Sequence, residues 1–262
     1  MKNLLKILSS ISMLGLLTFV SCKKEEANLS NNSNLTEETN SGNGQLLSRA
    51  GGYTYVYKLD LQNVKVLDLS DPNLTILYEL QPNNVMFVHG FTSIDNYIQY
   101  GTKQGWNAKL EVEVENHLHN YADLTGVEAE AEATGKIPAW WATYVDNYLA
   151  SKYPSYTSSS LSTRALSTTI YEDFNAQGRS LTMIPLKKTY AWLKIWGMKN
   201  TVSSFLPASL VRGIDIAYDN PFFNTILFRF KSGNNTPGFP INLNGVNAPF
   251  NDRAESWISL GI

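Results

Sequence analysis

The chain has 262 residues, 21 basic and 23 acidic side chains, and a formal net charge of −2. That balance excludes a nucleic-acid binder, because no Lys/Arg cluster stands beside aromatic residues. The single cysteine excludes an intrachain disulfide and a thiolate metal site, while 14 tyrosines and six tryptophans suit a β-rich extracellular protein.

Lys2 and Lys6 accompany an apolar run from Leu4 to Val20, which ends at Phe19-Val20-Ser21-Cys22. The run is too short for a comfortable transmembrane span and fits a short h-region before a small residue. It resembles a bacterial lipoprotein signal peptide, although Phe19 departs from the usual Leu or Val. The resemblance implies that residues 1–21 are removed and that Cys22 becomes the lipidated first residue. Lys23-Lys24-Glu25-Glu26 resembles the lysine-plus-acidic signals of surface-exposed outer-membrane lipoproteins. The implied location is the outer membrane at the cell surface, with the bilayer as a partner through the lipid anchor. From Asn28 to Ala50 the chain is mostly polar and cannot bury enough surface to offset its ordering entropy. Residues 22–50 are therefore read as the lipidated N-terminus and a flexible, disordered tether.

Residues 51–160 read as a smaller α+β region. Tyr53–Leu61 and Val64–Leu69 alternate at period two, with Gln62-Asn63 as the expected turn. Asn84–His89 is a further strand, closed by Gly90. Lys109–Glu115 alternates Leu/Val with Glu, which predicts a strand with one acidic face. Glu128–Glu132 is an acidic turn of helix or a loop. Ala139–Lys152 follows Pro138 and puts Trp141, Tyr144, Val145 and Tyr148 on one side of a predicted helix.

Residues 161–262 carry an internal repeat. Ile170-Tyr171-Glu172-Asp173-Phe174-Asn175-Ala176-Gln177-Gly178 matches Ala217-Tyr218-Asp219-Asn220-Pro221-Phe222-Phe223-Asn224-Thr225 at an offset of 47. Lys199-Asn200-Thr201-Val202-Ser203-Ser204 then matches Asn251-Asp252-Arg253-Ala254-Glu255-Ser256 at an offset of 52, the extra five residues fitting Ser232–Gly238. Two units of short strands in this order suggest a duplicated Greek key.

These residues resemble the βγ-crystallin family, whose motif runs aromatic, four residues, aromatic, any residue, Gly, followed later by Asn/Asp pairs ending in Ser/Thr-Ser. The first unit keeps Tyr171 and Gly178 but has Ala176 for the second aromatic. The second keeps Tyr218 and Phe223 but has Thr225 where a positive φ favours glycine. That hairpin is expected to be remodelled or strained. The implied fold is mainly β: a double Greek-key β-sandwich at 161–262 preceded by the α+β region, with Trp192, Trp196 and Trp257 in or near the core.

The resemblance also implies calcium, which takes six to eight oxygen ligands. The residues carried over are Asn200, Thr201 and Ser203 from the first loop and Asn251, Asp252, Arg253 and Glu255 from the second. Lys199 repels a cation at the first loop, so the second, with Asp252 and Glu255, is the better site. Ser204 and Ser256 read alternatively as backbone ties. The function expected is non-enzymatic binding of calcium and of a protein or glycan at the envelope. The alternatives are an enzyme in 51–160 and a protease inhibitor presenting Gly233–Gly238. For the enzyme, Val56–Pro72 and Glu113/Glu115 distantly resemble ADP-ribosyltransferase toxins. Phe87-Val88-His89-Gly90 is similar to an α/β-hydrolase oxyanion loop, but no nucleophile elbow follows. Glu115, His117 and His119 form a short zinc-like set.

Overall fold

The computed structural model describes residues 39–41, 45–50, 52–154, 168–183, 192–207, 213–231, 240–243 and 250–261, all within one compact unit spanning Asn34–Ile262. Strands β1 (Thr39–Ser41), β2 (Gln45–Ala50), β3 (Tyr53–Leu59) and β4 (Gln62–Asn63) come first, followed by the hairpin β5 (Thr75–Gln81) and β6 (Val85–Phe91). Four helices follow: α1 (Ile94–Gln104), α2 (Ala108–His119), α3 (Leu124–Thr134) and α4 (Ala139–Lys152). The remaining strands are β7 (Thr168–Asp173), β8 (Gln177–Met183), β9 (Ser204–Leu206), β10 (Gly213–Asn220), β11 (Asn224–Lys231), β12 (Ile241–Asn242) and β13 (Ser256–Gly261).

Among the described residues these strands form two sheets. The larger runs β1-β2-β3-β6-β5-β11-β10-β13, with β4 paired to β3, and the smaller runs β12-β9-β7-β8. The regions read separately as 51–160 and 161–262 share the larger sheet, because β5 pairs in parallel with β11 through Leu77↔Arg229 and Lys231↔Glu79. One apolar core fills the space between the sheets, built from Tyr53, Tyr55, Tyr57, Val88, Phe205, Phe228 and Trp257. A second core lies between the helices and the opposite face of the larger sheet and includes Leu77, Phe91, Val112, Trp141, Ile216 and Phe222. Period-two alternation accounts for both, since one strand sends successive side chains to opposite faces.

The C-terminal half is the expected double Greek-key sandwich. The first unit places β7, β8 and β9 in the smaller sheet, and the second places β10, β11 and β13 in the larger. β12 of the second unit crosses to pair with β9 of the first. The Leu243 N–H extends this crossing to the Ser203 carbonyl at 2.8 Å, and a matching crossing runs the other way, where the Leu193 N–H donates to the Glu255 carbonyl at 2.9 Å.

Both repeat hairpins turn through the same corner. Asn175 and Ala176 have φ of 57° and 60°, and Phe222 and Phe223 have φ of 58° and 65°. Next come Gly178 at φ 73° and Thr225 at φ 58°. The second hairpin is therefore strained rather than remodelled. A third such corner, missed from the sequence, joins β5 to β6, where Asn83 and Asn84 have φ of 61° and 57°. Its Pro82-Asn83-Asn84 parallels Pro221-Phe222-Phe223, and Asn tolerates the left-handed region.

Several elements differ from expectation. Lys109–Glu115 lies in helix α2, capped by Asn107, whose side chain accepts from the Leu110 N–H at 3.1 Å. The alternation misled because it assigned every glutamate to solvent, whereas Glu111 and Glu115 are buried. Asp60 and Leu61, at φ 44° and 71°, turn the chain in place of Gln62-Asn63. Leu67 and Leu69 fill the core from a loop rather than a strand. Residues 39–41 and 45–50, read as tether, pair as edge strands: Ser48, Arg49 and Ala50 lie opposite Tyr55, Thr54 and Tyr53. The apolar alternation of β3 supplies the ladder that the polar segment extends. Trp192 and Trp257 are buried as expected, whereas Trp196 is 46% exposed. Helix α4 matches its predicted bounds.

Candidate metal centre

The two motif loops cross and exchange backbone hydrogen bonds about an approximate two-fold relation. The Asn200 N–H donates to the Ala254 carbonyl at 3.3 Å, and the Asp252 N–H donates to the Val202 carbonyl at 3.2 Å. Adding 52 to Asn200 gives Asp252, and adding 52 to Val202 gives Ala254. The Ser203 and Glu255 N–H groups likewise reach the carbonyls of Tyr171 and Tyr218 at 3.0 and 2.9 Å. Asn200 and Asp252 hold φ of 51° and 56°, a conformation that Asn and Asp adopt more readily than most residues.

Ser204 and Ser256 fasten each loop to its hairpin corner, as the backbone-tie alternative requires. Ser204 Oγ donates to the Asp173 carbonyl at 2.6 Å and accepts from the Ala176 N–H at 3.2 Å. Ser256 Oγ donates to the Asn220 carbonyl at 2.7 Å and accepts from the Phe223 N–H at 3.0 Å.

This symmetry brings the site residues together as two unlike clusters. In the first, Glu255 from the second loop meets the first loop: Lys199 Nζ lies 3.2 Å from Glu255 Oε2, and Asn200 Nδ2 donates to Oε1 at 3.1 Å. In the second, Ser203 Oγ donates to Asp252 Oδ1 at 3.1 Å and Asn251 Nδ2 donates to Asp252 Oδ2 at 2.8 Å. Asn251 Oδ1 is buried with no hydrogen-bond partner, and Asp252 has no ion pair among the described residues. Asp252 and Glu255, expected to act together, therefore serve different clusters.

The first cluster already holds a cation, the Lys199 ammonium, against its carboxylate. The second presents a carboxylate, a hydroxyl and an unpartnered amide oxygen, all hard ligands suited to calcium. Thr201 Oγ1 is also buried without a partner. Arg253 turns its guanidinium to Asp219, with Nε 3.2 Å from Oδ1, so its side chain supplies no ligand. Among the described residues no three His, Cys, Asp or Glu side chains converge as a metal group.

The enzymatic alternatives do not assemble. Glu113 and Glu115 lie two apart on a helix and point to opposite sides: Glu113 meets Lys152 at 3.9 Å at the surface, while Glu115 faces buried Arg229. His117 stacks on Tyr148 at 3.7 Å between ring centroids, away from Glu115. His89 is buried on a central strand with Nε2 3.3 Å from Glu79 Oε2, and Tyr100 donates to the same oxygen at 2.5 Å. Burial pushes the Glu79 carboxyl up, but the neighbouring His89 imidazole and the Tyr100 hydrogen bond outweigh it and hold the carboxyl below the usual range. Cys22 and Gly233–Gly238 lie outside the described residues.

No protein-family model matches the chain, and no curated protein matches it. Two solved βγ-crystallin domains are similar to it. One, from work on the evolution of the eye-lens βγ-crystallin domain fold, is 19% identical with a TM-score of 0.30, over 40% of this chain and 94% of that one. The other, a mutant βγ-crystallin domain from Clostridium beijerinckii, is 19% identical with a TM-score of 0.27, over 36% of this chain and 97% of that one.

Proposed function

We propose that the protein is a surface-anchored binding scaffold whose second loop crossing takes one calcium ion, while Lys199 serves as the built-in cation of the first. The observation that carries this reading is the unpartnered, buried Asn251 Oδ1 beside Asp252, a carboxylate with only neutral donors around it. Calcium bound there would be held by Asp252, Asn251 and Ser203, with carbonyls and water completing its shell. One carboxylate gives a weak site, on the order of 10⁻⁴–10⁻³ M, the range of extracellular modules. At the cell surface such a site would be loaded by ambient calcium and would stiffen the crossing of the two units. The location rests on Lys2, Lys6, the apolar run and Cys22. The folded part would then present a protein or glycan partner with a rigid surface.

The test is calcium titration of the soluble mature chain, residues 22–262 carrying Cys22→Ser. Calcium should release or absorb heat with about one site and raise the melting temperature, because it binds only the folded state. Asp252→Asn should abolish both effects, and Asn200→Ala should leave them. Lys199→Asn should add a second binding event by freeing Glu255. Absence of heat and of any melting shift at millimolar calcium would reject the reading. For the anchor, Cys22→Ser in the full chain should abolish fatty-acid labelling and release the protein from the membrane fraction. Persistent labelling would refute lipidation at that residue.

A further inference from the structure

Helix α2 rests on the larger sheet through an ionic cluster from which water is excluded. Glu111 and Glu115 are one helical turn apart and both face inward, with 0% and 4% of their surface exposed. Arg229 of β11 rises between them: its Nε lies 3.0 Å from Glu111 Oε1 and 3.0 Å from Glu115 Oε1, while Nη2 pairs with Glu115 Oε2. Tyr97 of α1 donates to the Glu111 carboxyl, its hydroxyl lying 2.6 and 2.7 Å from the two oxygens. The guanidinium packs over the Tyr97 ring at 4.9 Å from its centroid.

The charges do not balance if both carboxyls are ionised. One guanidinium then faces two carboxylates, leaving a net negative charge in an environment that penalises it heavily. Two carboxyls that converge on one cation resolve this by keeping a proton between them. The titratable groups beside the pair offer the same answer. β10 contributes Tyr218, whose buried hydroxyl has no hydrogen-bond partner, and the chain after α4 contributes Tyr153 nearby. Among the described residues α1 contributes only Tyr97, and no second cation pairs with either glutamate. The other buried cation of β11, Lys231, lies two residues on and acts on Glu79 and Asp215. Burial, then repulsion from Glu115, pushes the Glu111 carboxyl up to about 8, and burial raises Glu115 as well.

We infer that Glu111 and Glu115 share one proton in the folded protein at neutral pH, and that this proton latches the helical layer to the sheet. Its loss leaves a carboxylate uncompensated beneath α2. The charge is relieved when α1 and α2 lift from Arg229, exposing Tyr97, Val112 and the apolar face of the larger sheet. The double Greek-key face of the molecule, packed around a separate core, is not opened by this step.

The sign follows from the raised carboxyl. The protonated form stabilises the fold fully below the ordinary carboxylate range, and that contribution is lost as the pH rises through about 8. The mature chain, residues 22–262 with Cys22→Ser, should melt about 5–10 °C lower at about pH 9.5 than at about pH 6. Amide exchange over the same interval should quicken in α1 and α2 and not in β7, β8 and β9. Infrared spectra should show the carbonyl band of a protonated carboxyl at neutral pH, gone in alkali and absent from Glu111→Gln. That variant places a neutral amide beside Glu115, and its melting temperature should no longer fall across the interval. A wild-type protein with no protonated-carboxyl band at neutral pH would overturn the inference, as would an equal alkaline fall in Glu111→Gln. Should Glu111→Gln not fold, Glu115→Gln is read in the same way, and the wild-type spectrum decides alone.

Discussion

The two repeat hairpins have the same backbone corner in opposite surroundings. The first corner, Phe174–Ala176, buries none of its three residues. The second, Pro221–Phe223, buries all three under the helical layer, with Phe222 edge-on to Trp141 at 5.1 Å and Phe223 beside Tyr218 at 5.6 Å. The first keeps glycine at its third left-handed position and the second keeps Thr225 there. The lesson is that backbone strain and local chemistry are separable from fold. A buried corner is held by aromatic packing and tolerates a β-branched residue at φ 58°, while an exposed corner has no such packing and keeps glycine.

The largest expected effect breaks the buried corner. Phe223→Ala removes a fully buried ring and should destabilise the protein by about 3–5 kcal/mol. The equivalent position in the exposed corner is already Ala176, and Ala176→Phe should change stability by less than about 0.5 kcal/mol. Chemical denaturation of both variants checks the contrast. Equal effects would mean that the corner's burial does not set its worth.

Much of this comparison was legible in the sequence, and the illegible part has physical reasons. The offset of 47 between Tyr171 and Tyr218, and of 52 between Ser204 and Ser256, correctly located both corners and both serine ties. Those signals are local: a turn conformation demands particular residues at particular spacings. The pairing of β5 with β11 carries no such mark, because a parallel ladder between distant strands is specified only by apolar faces. Glu111 and Glu115 were hidden for a related reason. An inward-facing carboxylate looks like a solvated one until its partner, here Arg229 more than a hundred residues away, is placed. At the loops the residue set was legible but its partition was not. Asp252 and Glu255 are close in sequence, yet the crossing sends one to Ser203 and the other to Lys199.

The serine ties give a middle-sized contrast. Ser256→Ala strands the buried Phe223 N–H and should cost about 1–3 kcal/mol. Ser204→Ala removes the same two bonds, but the Ala176 N–H lies at a corner open to water, which replaces the lost partner. Its cost should fall nearer about 0.5–1.5 kcal/mol. Matched denaturation curves measure the difference, and a larger loss for Ser204→Ala would reverse the assignment of water access.

The smallest effect is the most pointed, because it separates strain from packing. Thr225 sits in the left-handed region, where an L-residue costs roughly 1–2 kcal/mol relative to its usual conformations. Its hydroxyl recovers part of that by accepting from Asn220 Nδ2 at 3.0 Å. Thr225→Gly removes the strain and also that hydrogen bond, and it adds backbone freedom to the unfolded chain. The net result should be a modest stabilisation, about 0.5 kcal/mol. The reciprocal Gly178→Thr faces both penalties: φ is 73°, and a Cβ there would stand 2.5 Å from Asp173 Oδ2. Asp173 must then move, so this variant should destabilise although its corner is exposed. If Thr225→Gly instead costs stability, the hydroxyl bridge to Asn220 outweighs the strain, and threonine at that position is a stabilising device rather than a tolerated substitution.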